Sequence, residues 1–288
     1  MTGSKTFLFA KKNQKTFIWR FARNKAAVLG AVILAIVIAT VIIGPVVYPG
    51  SAFKLVGTPL QPPGGRFILG TDTLGRDVAA EIVHGTRTSM LIGLSATALA
   101  VLTGALVGGF AGYYRGWTEL ILMRITEFFQ TIPAFVLAIL VVAILQPSVG
   151  SEILAIGLVS WPGIARLVRG EFVSLGGREF VLACTGLGAS DARVIFRHLL
   201  PNCASSIIAV GSLLVASAIL IESGLAFLGL GDPNVMSWGL LISAGRAVLR
   251  SAWWICTFPG IAILLTVLAI NLAGDGLNEA LNPRLRNA

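Results

Sequence analysis

The chain has 288 residues, of which 56% are hydrophobic and only 12% are charged, and its mean hydropathy is +0.86. Soluble domains carry about 25% charged residues, so this composition excludes a soluble globular protein and indicates a polytopic membrane protein. The formal net charge of +9 would also suit a nucleic-acid-binding protein, but the basic residues flank hydrophobic segments, which is typical of membrane topology. Cys184, Cys203 and Cys256 form no Cys-x-x-Cys pair, so neither a disulfide framework nor a metal site is expected.

Six apolar segments are each long enough to cross the hydrocarbon core of a bilayer, which takes about 20 residues of helix. They are residues 26–48, 89–114, 119–146, 152–168, 204–230 and 252–274. The fourth is the weakest, because Pro162-Gly163 interrupts it and predicts a kink. We therefore expect an all-α membrane protein with six transmembrane helices, forming one transmembrane domain over residues 26–288 after an N-terminal segment, 1–25.

The basic residues predict how these helices are oriented. Sixteen of the 22 Lys and Arg residues fall on the same side of the membrane as the two termini, and the positive-inside rule places that side in the cytoplasm. Within residues 1–25, basic side chains alternate with aromatic ones, as at Lys15, Phe17 and Arg20. This segment is predicted to be either an amphipathic helix on the inner leaflet or a simple topology anchor.

A polar island, residues 171–202, separates the fourth and fifth apolar segments. Its sequence predicts a helix, a glycine break, a second short helix and a stop at Leu200-Pro201 before the fifth span. Helix packing alone does not need such an insert, so we expect a cytoplasmic docking surface for another protein. The residues expected to contribute to it are Glu179, Ala183, Gly186, Leu187, Gly188, Asp191, Arg193, Phe196, Arg197, Leu200 and Pro201.

The island resembles the EAA loop of ABC-importer permeases, in which Glu-Ala-Ala is followed after three residues by Gly and later by Ile-x-Leu-Pro. The Gly falls on Gly188, the Leu-Pro pair on Leu200-Pro201, and the first Ala on Ala183. The departures are Leu182 at the Glu position, Cys184 at the second Ala and His198 at the Ile. Glu179, one helical turn earlier, is a hypothetical replacement for the missing Glu.

A second match lies ahead of the second span, in residues 70–77 and 85–89. It is similar to the signature of the C-type member of the permease pair in dipeptide, oligopeptide and nickel importers. Residues 222–231 and 274–285 resemble the same subfamily, so the resemblance covers nearly the whole chain. The signature residues of this outer loop are Gly70, Asp72, Gly75, Arg76, Asp77 and Arg87.

The resemblance implies the type I ABC importer permease fold in a bacterial inner membrane, with a coupling helix between the fourth and fifth spans. It implies a heterodimer with a homologous permease, two cytoplasmic ATPases that hold ATP and Mg, and a periplasmic or lipid-anchored substrate-binding protein. The residues themselves include no Gly-x4-Gly-Lys-[Ser/Thr] phosphate loop and no Ser/His/Asp or Cys/His set. We therefore expect a subunit that is not an enzyme, binds no cofactor or nucleic acid and is surrounded by membrane lipid.

Ionisable side chains at membrane depth face protein or a water-filled path. Glu222 is interpreted either as a gate or passage residue or as a structural bond to a neighbouring helix or the partner subunit. Glu127 is interpreted either as part of the path or as the local partner of Arg124, three residues earlier. The residues expected to form the translocation path or gate are Glu127, Phe128, Pro133, Glu222 and Phe227.

Within this family di- and oligopeptides are the expected substrates, and nickel or another small solute is the alternative. An ion-coupled secondary transporter would predict inverted repeats, and none is visible in the sequence. A membrane scaffold that docks a cytosolic partner without transport would leave the outer-loop signature unexplained.

Overall fold

The structure is a computed structural model that describes the backbone of residues 21–281 and the side chains of residues 21–279. Most of the predicted N-terminal amphipathic segment lies outside these residues. The described part of the chain is helical and has isolated β-bridges but no strand. Its helices are α1 (Lys25–Val47), α2 (Val78–Tyr114), α3 (Gly116–Thr131), α4 (Ala134–Leu145), α5 (Val149–Gly176), α6 (Glu179–Gly186), α7 (Asp191–Phe227), α8 (Trp238–Gly245) and α9 (Trp254–Leu281).

Five of these helices are long and apolar enough to cross a membrane, and the bent pair α3–α4 brings the number to six. The predicted all-α membrane fold is therefore confirmed. Because successive spans alternate in direction, their connections gather at two ends of the bundle. We call the end formed by residues 48–77 and 228–253 the tryptophan end, and the end formed by residues 177–202 the loop end.

The α2–α5 pair forms the most extensive helix contact in the described structure. At Gly104, Gly108 and Gly112 an added Cβ would lie 2.6, 2.2 and 2.6 Å from the nearest atom of α5. Small residues four positions apart let two membrane helices approach closely and increase their van der Waals contact. The pair thus forms the centre of the bundle, whereas α1 packs on α9 at the periphery.

Helix α2 begins eleven residues before the predicted start of the second span at residue 89. Asp77 caps it, because its carboxylate accepts a hydrogen bond from the backbone N–H of Ala79 at 2.9 Å. The apolar run marks only the later turns, because the first turns contain Glu81, which is buried in protein. A span predicted from hydropathy alone therefore starts too late.

The third predicted span is two helices, bent by 88° between Thr131 and Ala134. Pro133 has no N–H and restricts the preceding residue, so Ile132 is extended (φ −88°, ψ 130°) and the helical hydrogen bonds stop. The predicted interruption of the helix at Pro162 is wrong, because α5 continues through it from Val149 to Gly176, whereas the kink expected there stays a prediction. Neighbouring helices cover α5 around this proline, which lets a membrane helix tolerate it.

The predicted stop at Pro201 is also wrong. Helix α7 starts at Asp191 and passes through a π-helical segment, Val194–Leu199, into the long apolar stretch that ends at Phe227. Pro201 follows that segment directly, where the Leu200 N–H donates to the carbonyl oxygen of Ile195 five residues earlier, so the helix passes the residue that lacks an N–H. The fifth span and the second half of the polar island are therefore one continuous element.

Candidate functional site

The base of the loop end is held by apolar packing. Val181 of α6 is only 4% exposed, and Val194 and Leu199 of α7 are buried beside Phe172 of α5. Burying an aliphatic side chain of this size contributes about 1.5–3 kcal/mol. The polar island is therefore a folded extension of the spans, because its inner face belongs to a hydrophobic core.

The turn between α6 and α7 depends on Gly188. Its φ of +78° lies in the left-handed region, and its N–H donates to the carbonyl oxygen of Thr185 at 3.0 Å. Apart from Gly188 and its two chain neighbours, no described residue has an atom within 4 Å of the position of an added Cβ, so a side chain would have room. The backbone conformation alone favours glycine here.

The outward face of the loop end is apolar and open. Leu187 is 88% exposed, and Phe180, Leu182 and Phe196 are also exposed. Large apolar side chains exposed among charged residues are typical of a site of protein–protein contact. Of the predicted docking residues, Leu200 is half-buried and the exposed ones are Glu179, Ala183, Gly186, Leu187, Gly188, Asp191, Arg193, Phe196, Arg197 and Pro201.

One hydrogen bond links the loop end to α2, and a second joins α7 to α5 beside it. The Tyr113 hydroxyl of α2 donates to Asp191 Oδ1 at 2.8 Å, and the Ser206 hydroxyl of α7 donates to Glu171 Oε1 of α5 at 2.7 Å. The first attaches the start of α7 to α2, and the second attaches the body of α7 to α5. Glu179 forms no hydrogen bond or ion pair with the described residues, and its compensation for the missing Glu stays a prediction.

Two of the departures from the EAA pattern contact each other. Cys184 of α6 and His198 of α7 lie side by side, with Sγ and Nε2 3.8 Å apart. They form one local contact between the two helices of the loop end. Sequence comparison by position treats them as independent substitutions because fourteen residues separate them.

The outer-loop signature folds as a tight turn at the tryptophan end. Asp72 Oδ1 accepts hydrogen bonds from the backbone N–H groups of Leu74 and Arg76 at 2.8 and 2.7 Å. A Cβ on Gly75 (φ +83°) would lie 2.2 Å from the carbonyl oxygen of Gly57. Only glycine fits at that position without moving the backbone.

The same turn connects α2 to α9. The guanidinium of Arg76 lies 4.8 Å from the centre of the Phe53 ring and 3.8 Å from Glu81 Oε1. The Trp254 indole N–H donates to the carbonyl oxygen of Thr71 at 3.1 Å. Of the signature residues, Gly70 and Asp72 are buried and Asp77 caps α2, whereas Arg87 is exposed and forms no ion pair with the described residues.

The end of α1 is also attached at this end. His84 Nε2 of α2 lies 3.1 Å from the carbonyl oxygen of Tyr48. Burial raises the pKa of the Tyr48 phenol, and the negative charge of Asp77 raises it further. The phenol is therefore neutral at physiological pH and adds no charge to the tryptophan end.

Glu222 is fully buried where α7, α2 and the start of α8 meet. Its Oε2 accepts hydrogen bonds from the hydroxyls of Ser89 at 3.0 Å and Ser223 at 3.2 Å. The Ser89 oxygen in turn accepts a hydrogen bond from the backbone N–H of Trp238 at 3.3 Å. The structural bond to a neighbouring helix is therefore present, and a path or gate role for Glu222 stays a prediction.

Sequence reasoning missed Glu152, which is buried in the first turn of α5. Its Oε1 accepts a hydrogen bond from the backbone N–H of Asp232 at 3.2 Å, which attaches the segment after α7 to α5. The signal was available, because Ser148 and Ser151 form a capping box and acidic residues are stabilised in a first helical turn. The predicted span starts at residue 152 and therefore leaves out Ser148 and Ser151, the two residues of the capping box.

The other predicted path residues lie apart from this network. Glu127 forms an ion pair with Arg124 at 2.9 Å, so the local pairing that was one of its two interpretations is present. Phe128 and Pro133 are exposed at the end of α3 and in the bend after it. Phe227 is exposed at the end of α7 with the Arg246 guanidinium 5.5 Å from its ring centre.

Residues 104–287 match the family model of the binding-protein-dependent transport system inner membrane component, and residues 15–63 match the N-terminal TM domain of oligopeptide transport permease C. The chain belongs to the binding-protein-dependent transport system inner membrane component family. The resemblance to a C-type permease is thereby confirmed.

Similar proteins cover nearly the full length of this permease. The di/tripeptide transport system permease protein DppC of Pseudomonas aeruginosa (strain UCBPP-PA14) is 39% identical over 282 residues, which cover 95% of this chain and 93% of that protein. The dipeptide transport system permease protein DppC of Bacillus subtilis (strain 168) is 38% identical over 270 residues, which cover 93% of this chain and 84% of that protein.

Proposed function

We propose that this chain is the C-type permease subunit of an ATP-driven importer of di- and oligopeptides, with both termini and the loop end in the bacterial cytoplasm. The observation that supports the proposal most directly is the open apolar face around Leu187, built on a packed base in a chain of this transport family. Such a face fits a soluble ATPase that binds the loop end from the cytoplasm.

The proposed assembly contains a second, homologous permease, two ATPases and a substrate-binding protein outside the membrane. ATP binding closes the ATPase pair and moves α6. The packing of Val181 and Val194, together with the Tyr113–Asp191 hydrogen bond, carries that movement into α2, α5 and α7. This chain needs no catalytic group of its own, because the partner subunits hold ATP and Mg.

Peptide is the proposed substrate because the relatives are named as di/tripeptide and dipeptide permeases over 93–95% of this chain. The test is reconstitution of the complete complex in liposomes, with its binding protein and a dipeptide mixture. We expect peptide uptake and ATPase activity that rises with loaded binding protein. Uptake of nickel or another solute in place of peptide would reject the substrate and keep the importer.

A matched pair of variants tests the coupling role in the same assay. Gly188→Ala forces a side chain into the left-handed region, whereas Gly186→Ala keeps an ordinary helical backbone at an open position. We expect stimulation by binding protein to fall several-fold in Gly188→Ala and to persist in Gly186→Ala. Equal stimulation in both would remove the loop end from the coupling pathway.

A further inference from the structure

A cavity of about 410 Å³ lies between α3 and α5 on the side of the bundle towards the loop end. Small-molecule sites in proteins have volumes of about 300–1,000 Å³. Arginines and glutamates line this one: Glu119, Arg124 and Glu127 from α3, and Arg166 and Arg169 from α5. The function proposed above gives none of these charged side chains a role, and only Glu127 is among the path residues predicted from the sequence.

The charges in this cavity do not balance. Arg169 donates to Glu119 through Nε at 2.6 Å and through a second guanidinium nitrogen, and Arg124 pairs with Glu127 at 2.9 Å. The guanidinium of Arg166 forms no hydrogen bond or ion pair with residues 21–279. Three guanidiniums and two carboxylates leave one positive charge at the cavity.

Arg166 lies one helical turn before Arg169 on a membrane-spanning helix, so the two project from the same side of α5. Charged groups on such helices pair with a counterion or face a water-filled path. A guanidinium offers a planar set of donors that matches carboxylate and phosphate oxygens. We propose that this cavity binds an oxyanion group through Arg166, with Arg169 held beside it by Glu119.

Two molecules supply that chemistry at this position. One is a transported peptide, whose carboxylate binds as it leaves the path, and this source rests on the function proposed above. The other is an anionic lipid, whose phosphate binds from the adjacent leaflet. The same side chains serve both, and the experiment below separates them.

The test measures the charge preference of the cavity with a thiol placed on its wall. Met123 lines the cavity, and Ile125 lies on the same helix outside it. Met123→Cys and Ile125→Cys are made in a chain whose Cys184, Cys203 and Cys256 are replaced by alanine. The complete complex is placed in phosphatidylcholine nanodiscs, and mass spectrometry follows modification by an anionic sulfonatoethyl and a cationic trimethylammonioethyl methanethiosulfonate.

We expect the anionic-to-cationic rate ratio at Met123→Cys to exceed the ratio at Ile125→Cys about tenfold, because a cationic cavity concentrates anions. Adding Arg166→Gln lowers the ratio at Met123→Cys to that of Ile125→Cys, whereas Arg250→Gln, at the tryptophan end, leaves it unchanged. Equal ratios at the two cysteines, or a ratio that survives Arg166→Gln, would overturn the proposal. Labelling does not require transport, so a complex that imports no peptide still tests the site.

Protection of Met123→Cys identifies the source of the oxyanion. Slower anionic labelling with trialanine, but not with its C-terminal amide, assigns the site to the peptide carboxylate. Anionic labelling that slows at Met123→Cys but not at Ile125→Cys on exchange into phosphatidylglycerol discs without peptide assigns it to lipid phosphate. Protection by neither rejects the site for both.

Discussion

The tryptophan end and the loop end of the bundle are built in opposite ways. At the tryptophan end, carboxylates such as Asp72, Glu152 and Glu222 are buried and bonded to backbone or hydroxyl groups, and the bonds of the last two join distant segments. At the loop end the buried side chains are apolar, and large apolar side chains such as Leu187 are exposed as well.

The tryptophan end is held by contacts within this chain, whereas the loop end exposes a surface that fits a partner protein. Polar groups buried without partners are costly, so the bonded carboxylates fix one arrangement of the tryptophan end. An apolar surface of the loop end gains free energy only when another protein covers it. Substitutions at the first end should therefore change stability, and those at the second should change coupling.

The largest expected effect is at Gly75. Gly75→Val places a branched side chain at φ +83° against the backbone of Gly57, which combines left-handed strain with overpacking. We expect a loss of about 3 kcal/mol in stability, measured as a lower Tm of the purified complex. The control is Gly65→Ala (φ +58°), where nothing lies within 4 Å and the cost is about 1 kcal/mol. Equal losses would show that close packing does not fix this end.

The next effect separates hydrogen bonding from charge at Glu222. Glu222→Leu leaves the buried Ser89 hydroxyl without its acceptor, and we expect a loss of about 2 kcal/mol. Glu222→Gln retains an oxygen that accepts from Ser89 and Ser223, so its loss should stay below about 1 kcal/mol. Thermal unfolding of the two complexes measures both. If the glutamine variant loses as much as the leucine variant, charge rather than hydrogen bonding holds the site.

Much of this architecture follows from the sequence because membrane helices obey simple rules. Apolar length located five long helices and the bent pair that can form a sixth span, and the polar island between two of them contains the loop end. Hydropathy failed where the fold depends on polar atoms, as at the start of α2 and at Glu152, because a buried acid and an exposed one look alike in sequence. The helix bends at the exposed Pro133 but continues through the buried Pro162. The packing around each proline makes the difference, and the local sequence does not show that packing.

A pair of serine substitutions tests the loop end itself. Val181→Ser removes an apolar side chain from the core, and we expect it to lower stability by about 2 kcal/mol. Leu187→Ser changes an exposed side chain, so stability should move by less than about 0.5 kcal/mol while ATPase stimulation by binding protein falls. Tm and ATPase activity of the same preparations report the two effects. A Leu187→Ser complex with full stimulation would contradict the assignment of this face to a partner.

The smallest expected effect is at the Tyr113–Asp191 hydrogen bond, the link between α2 and the loop end. Tyr113→Phe removes a single donor from an exposed contact, and we expect a stability change of only about 0.5 kcal/mol. If the bond transmits movement, the peptide imported per ATP hydrolysed should fall more than this small change suggests.

The control for that bond is Asp191→Asn, which keeps an oxygen acceptor for Tyr113 while removing the charge. Near-normal import per ATP is expected in this variant. If Tyr113→Phe leaves the ratio unchanged, the link is structural only. The apolar contacts of Val194 and Leu199 with α5 would then transmit the movement of the loop end, because these contacts remain after the hydrogen bond is lost.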